Sequence, residues 1–186
     1  MDDRAELRDI IAKDAILRGD FTLASGRRSD YYLDCKKVTL CNPRALALAA
    51  RLVFDKIKEV ERDKHLHVDA IGGLTSGADP LLIAVSQYAL RQGRKLPAFF
   101  VRDEQKSHGT KRVIEGEIPS GQNVVILDDV MTTGSSLLKA AHSAREAGAK
   151  VVQVLVLVDR EEQDRSPDLE AYDWASIFTV SELLAS

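Results

Sequence analysis

Two adjacent carboxylates, Asp128 and Asp129, stand just ahead of a run of small residues, Thr132, Thr133, Gly134, Ser135 and Ser136. Four branched apolar residues, Val124 to Leu127, precede the acids, and a helical pattern, LLKAAHSAREAGA, follows the turn. A buried strand, a hydroxyl-rich turn and a helix start together describe an anion cradle. The first N–H groups of a helix have no partner within it, and the helix dipole adds partial positive charge there. Threonine and serine add donors without filling the space. The acids need another target, because a phosphate repels them. Vicinal sugar hydroxyls suit carboxylate acceptors, and a divalent metal is the other candidate. A sugar phosphate satisfies both halves. A strand end with solvated acids and an ordinary helix cap is the plainer reading.

Three further groups bear on the same chemistry. The turn Gly72-Gly73-Leu74-Thr75-Ser76-Gly77 lies between an expected strand and a helix opened by Asp79 and Pro80, and so invites a second anion. It is not a P-loop, lacking the lysine after its last glycine, and its glycine spacing is not that of a dinucleotide fingerprint. Residues 102–118 form a long polar stretch. From Arg102 to Arg112 it has four Lys/Arg against two acids, which suits a mobile lid bringing cations over an anionic ligand. Arg160 follows the most apolar strand of the chain, and its planar guanidinium matches a carboxylate or ring carbonyls. A capped strand end with a local Asp159–Arg160 pair is the simpler alternative. His65 and His67 could share a strand face toward a metal, but no third ligand is near in sequence.

The elements that must position these groups follow from periodicity. Residues 3 to 18 have helical spacing, stopped by Gly19 and Asp20. Phe21 to Ser25 and Tyr31 to Lys36 read as two strands joined by Gly26-Arg27-Arg28-Ser29-Asp30. Asn42-Pro43 starts a long helix. Val68–Ile71, Leu96–Val101, Val124–Leu127 and Val151–Val158 read as strands, with a last one near Trp174 to Val180 and a short helix capped by Ser181. Strands alternating with helices predict one α/β domain with a central parallel sheet flanked by helices. A small cap from the first forty residues completes it.

Global properties fit a soluble enzyme. The 186 residues are of single-domain size, and the net charge of −3 offers no basic excess for a nucleic acid or an anionic membrane. No apolar run reaches membrane-spanning length, and the start MDDRAE is unlike a signal peptide. Two cysteines, Cys35 and Cys41, without a spaced partner set suggest a reducing compartment. The expectation is a cytoplasmic protein.

The stretch VVILDDVMTTGSS resembles the signature of the type I phosphoribosyltransferases, which bind phosphoribosyl diphosphate (PRPP). The segment FTLASGRRSDYYLDCKK and the loop Arg102 with Lys106-Ser107-His108-Gly109 are similar to the orotate-specific members. The resemblance runs from Phe21 to Arg160. It implies conversion of orotate and PRPP to orotidine 5′-monophosphate and diphosphate, with Mg²⁺ carried by the diphosphate. PRPP would be held by Gly73, Thr75, Ser76, Gly77, Arg102, Lys106, His108, Asp128, Asp129, Val130, Met131, Thr132, Thr133, Gly134, Ser135 and Ser136. Lys106, His108, Arg102, Asp128 and Asp129 would carry the chemistry, and Asp128 or Asp129 could touch the metal. Orotate would meet Thr132, Arg160, Ser25, Gly26 and Arg27 under the N-terminal cap. The loop would reach the neighbouring subunit's site, which implies a homodimer. Two departures stand out: Ala24 and Asp103 occupy places where many members carry lysine. A phosphoribosyltransferase for another base, and a PRPP-binding regulator without turnover, remain as alternatives.

Overall fold

Asp2 accepts the Arg4 N–H at 3.1 Å and starts helix α1 (Asp3–Asp14), which buries Leu7 and Ile11. The computed structural model describes residues 2–22, 28–103, 113–118 and 120–185. Helix α1 stops short of the expected residue 18, because Ile16 begins strand β1 (Ile16–Thr22), antiparallel to β2 (Arg28–Leu33). Ile16 pairs with Leu33 and Leu17 with Tyr32, and a register shift between Arg18 and Phe21 absorbs Gly19 and Asp20 into the strand. Both strands therefore lie earlier than their local pattern suggests. Cross-strand pairing wins over a periodicity that a short window cannot distinguish from helix. Lys36, expected at a strand end, instead opens the short helix α2 (Lys36–Thr39).

Helix α3 (Pro43–Lys64) begins as expected, with Asn42 Oδ1 accepting the Ala45 N–H at 3.1 Å and proline at the first position. It ends on His65 in the left-handed region, and His65 and His67 are both exposed. Then come β3 (Ala70–Leu74), α4 (Asp79–Arg91), β4 (Ala98–Val101), β5 (Ile114–Glu115), β6 (Asn123–Met131), α5 (Ser135–Glu146), β7 (Lys150–Asp159), β8 (Trp174–Thr179) and α6 (Val180–Leu184). Strand β6 does not end at the acids but carries Asp128 and Asp129 inside it. Helix α6 is capped by Thr179, whose Oγ1 accepts the Glu182 N–H at 3.3 Å, rather than by Ser181.

The sheet order is β5-β4-β3-β6-β7-β8, parallel except for β5, which pairs antiparallel with β4. The stretch 102–118 is thus pinned at its base: Phe100 pairs with Glu115, and the Arg102 N–H donates to the Val113 carbonyl at 2.8 Å. The first parallel strand, β3, lies between the second, β4, and the third, β6, so the winding reverses between β3 and β6. Open α/β sheets bind ligands beyond the carboxyl ends of the strands at such a reversal. The β3–β6 ladder is recorded only as far as Gly72 and Ile126, whereas β6–β7 continues to Met131 and Asp159. A crevice opens where the first ladder stops.

Successive residues of a strand face opposite sides, and β6 uses this. Val125 and Leu127 join the cluster under α3 and α4, while Val124 and Ile126 join the one under α5. The alternation breaks at the acids, because Val130 joins the α3 and α4 side and Met131 the α5 side, and both carboxylates approach Gly77. The N-terminal elements close one side of this frame. Helix α1 packs on α3, and Arg4 grips Glu182 of α6 at 2.5 and 2.9 Å, so the tail joins the cap. Among the described residues no helix is long and apolar enough to cross a membrane.

Candidate active site

Strand β6 delivers both acids to the crevice, and because they lie within the strand they are buried, at 6% and 8% exposure. Asp128 Oδ1 accepts the Asp129 N–H at 2.9 Å, and Asp129 Oδ1 accepts the Val130 N–H at 2.8 Å. Burial, then the neighbouring charge of Asp129, pushes the Asp128 carboxyl up to about 8, and burial also raises Asp129. The charge of Lys36 pulls the other way on both. Such a pair is short of positive charge and of donors, which is the state a ligand rich in hydroxyls or a cation relieves.

The turn after β3 lies against the acids. A Cβ on Gly77 would stand 2.9 Å from Oδ1 of both Asp128 and Asp129, so only glycine lets the backbone pass this close. The Thr75–Ser76 peptide is cis, and the Thr75 N–H is held by the Val101 carbonyl at 2.9 Å. Thr75 is half-buried and Ser76 exposed. Gly73 is buried where a Cβ would meet the Leu127 carbonyl and Ala78. Its role is close packing of strand and helix.

On the other side of the acids, Asp128, Val130, Met131, Thr132, Gly134, Ser135, Ser136 and Leu137 line a small concavity at the start of α5. Gly134 caps the helix at φ +83°, where a side chain is rarely tolerated. Thr133 Oγ1 accepts the Ser135 N–H at 3.4 Å, and the Thr133 carbonyl accepts from Ser166 at 2.9 Å. These bonds hold the turn open. The side chain of Met131 lies in the apolar cluster with Leu137 and Leu169, beside Gly134. Asp128 shares this concavity, although a phosphate site was expected to exclude the acids. Its raised proton affinity weakens the repulsion.

Arg160 arrives from β7. Its N–H donates to the Met131 carbonyl at 3.0 Å, so it lies beside Thr132 on the neighbouring strand end. Arg160 is buried at 7% exposure, its guanidinium 5.2 Å from the centre of the Tyr31 ring, with Nη2 3.2 Å from Glu162 Oε1. The simple Asp159–Arg160 pair is absent among the described residues. Asp159 binds Arg165 instead, at 2.8 Å through each carboxylate oxygen.

Cations are placed less as expected. Arg102 is half-buried at the end of β4, its Nη2 2.6 Å from Glu115 Oε1. Asp103 is tied to Lys139 Nζ at 2.5 Å. Arg28 is 76% exposed and paired with Asp20, away from the acids. Ser25, Gly26, Arg27, Lys106 and His108, with Ala24, lie outside the described residues. Lys36, Lys139, Glu115 and Glu162 were missed in the sequence, since a lone charge carries no signal of its partner.

Residues 40–184 match the phosphoribosyl transferase domain family. The orotate phosphoribosyltransferase of Rhodopseudomonas palustris (strain BisB18) is 43% identical over 188 residues, spanning 98% of this chain and 97% of that protein. The chain belongs to the orotate phosphoribosyltransferase family. The Mycobacterium tuberculosis H37Rv orotate phosphoribosyltransferase in complex with Fe(III) dicitrate superposes with a TM-score of 0.80 at 37% identity, covering 97% of this chain and 98% of that one. The same enzyme in complex with PRPP gives 0.75 at 35%, with 97% and 98% covered. Within the family frame Lys36 is the described cation acting on the twin acids, and Lys139 the one that neutralises Asp103.

Proposed function

We propose that this chain joins orotate to PRPP, releasing diphosphate and forming orotidine 5′-monophosphate, the phosphoribosyl transfer of de novo pyrimidine synthesis. The observation that carries the reading is one of adjacency. Arg160 and Thr132 each follow the end of one of two neighbouring strands, and the acids at the end of β6 lie within a few residues of the cradle of α5. Spacing of this kind suits one ligand with a carboxylated ring, a diol and a terminal phosphate in series.

The α5 start, with Thr132 to Ser136, holds the 5′-phosphate through backbone and hydroxyl donors. Asp128 and Asp129 accept from the ribose hydroxyls. Thr75, Ser76 and Gly77 border the diphosphate. Arg160 and Thr132 orient orotate so that its ionised ring nitrogen attacks the anomeric carbon as the carbon–oxygen bond to diphosphate breaks. Arg102, Lys106 and His108 supply positive charge to the departing diphosphate and exclude water. Mg²⁺ fits this site: the buried acids offer hard oxygen donors whose raised proton affinity marks uncompensated negative charge. It would be held mainly by the diphosphate, with Asp128 or Asp129 beside it, and would neutralise charge on the leaving group.

The active form is a homodimer with sites shared through residues 102–118. Exposed Ile83 and Leu90 on α4, one face two turns apart, favour burial against a second copy. The enzyme works in the cytoplasm, a reading supported by the free thiols of Cys35 and Cys41. The deciding experiment follows orotate absorbance with PRPP and Mg²⁺ beside the Lys106→Ala variant. Orotate consumption that falls roughly 100-fold or more in the variant supports the assignment. Turnover of adenine or uracil but not orotate overturns the base, and full activity in Lys106→Ala removes the lid from the mechanism.

A further inference from the structure

Arg160 is buried, and a guanidinium in that position must be aimed before a carboxylate can be recognised with two parallel bonds. The Tyr31 ring lies 5.2 Å from the guanidinium carbon and covers the group without fixing which edge it turns to a ligand. Asp159, the adjacent acid, is not available to set it. Both its oxygens face Arg165, one also accepts the Glu161 N–H at 2.9 Å, and Arg165 in turn stacks on Trp174 at 4.5 Å. Glu161 sits in the left-handed region at φ +55°, with its carboxylate accepting the Ser181 N–H at 2.8 Å. That turn is fastened at both ends, and it brings Glu162 back to the guanidinium. Glu162 is itself largely buried, at 13% side-chain exposure, and meets Nη2 at 3.2 Å.

We propose that Glu162 is a positioning residue for base recognition: it fixes the in-plane orientation of Arg160 so that the opposite edge of the guanidinium meets the carboxylate of orotate. The inference rests on the orotate reading above and adds to it the residue that aims the recognition group. Orientation and charge make opposite demands on a replacement. Glu162→Gln keeps the length and an acceptor oxygen but loses the charge. Glu162→Asp keeps the charge but withdraws the acceptor by one methylene.

The test is steady-state kinetics of both variants with orotate and PRPP varied separately, beside melting curves. The expected result is an orotate KM raised about tenfold in Glu162→Asp and less than about threefold in Glu162→Gln, the size of one misdirected charge-assisted bond. The PRPP KM stays within about twofold in both. The reverse ranking, with Asp tolerated and Gln not, assigns Glu162 to charge balance and overturns the proposal. So do unchanged orotate constants in both variants, or orotate and PRPP constants rising together with a lowered melting temperature. An unaltered enzyme that fails to use orotate overturns the orotate reading and this inference with it, whereas failure confined to the variants overturns the inference alone.

Discussion

At the scale of single residues, the twin acids set function against stability. The Asp128 carboxyl has its folded value raised to about 8 from the ordinary 3.8, because burial and the charge of Asp129 penalise ionisation. The folded state therefore holds its proton where the unfolded chain has lost it. The contribution of Asp128 to the stability of the unliganded protein is fully present below the ordinary carboxylate value and is lost as pH rises through about 8. Asp128→Asn keeps an oxygen for the Asp129 N–H and removes the charge. Its melting temperature at pH 8 is expected to rise by roughly 2–4 °C, the effect of about 1 kcal/mol in a chain of this size, with a flatter pH dependence in a melting series. Its kcat/KM for PRPP is expected to fall about 100-fold, since an amide no longer offers the diol two acceptors. In the unaltered enzyme the same quantity should climb as pH rises toward about 8 and Asp128 ionises. A flat profile would argue that the diol is held elsewhere.

At the scale of elements, three segment ends converge: the turn after β3, the end of β6 with the start of α5, and the end of β7. The turn after β3 passes the acids with no space for a side chain. Gly77→Ala must push a methyl against two carboxylates, and the expected outcome is a PRPP KM raised about tenfold with the fold intact. Gly134→Ala differs, because a Cβ there has ordinary contacts, 3.5 Å to Leu169, and only the backbone objects. The cost should be about 1–2 kcal/mol, seen as a lowered melting temperature in scanning calorimetry. At the root of the lid, the Asp103–Lys139 pair is exposed at 69% and 45%, so its contribution to stability is small. Its effect is on charge: Lys139 offsets the Asp103 carboxylate.

At the scale of the whole molecule, shared active sites give a sharp expectation. Lys106 and Asp128 would serve one site from two subunits. Equal mixing of inactive Lys106→Ala and Asp128→Asn chains, after exchange of subunits, should then restore about a quarter of the unaltered activity, from heterodimers with one intact site. Unmixed variants stay inactive. Absence of recovery, or a monomer by light scattering, would refute the sharing. If the ion is carried by the diphosphate, chelation of divalent metal should abolish turnover while leaving the melting temperature of the unliganded protein nearly unchanged.

Local pattern was enough for much of this protein. The run Val124 to Leu127 specified a strand buried on both faces and Asn42-Pro43 a helix start, because each rests on neighbours in sequence. Local pattern did not show that β6 runs on through both acids to Met131. Tertiary structure decided what depends on partners far along the chain. Ile16 became strand because Leu33 lies opposite it. Asp128 and Asp129 became buried bases of raised proton affinity because the turn around Gly77 closes over them. Arg160 gained Glu162 and Tyr31 rather than Asp159, through a turn held by Ser181 and a hairpin from the other end of the chain. Propensity and periodicity act over a few residues, whereas burial and charge pairing act through space, and the latter fix the chemistry of these side chains.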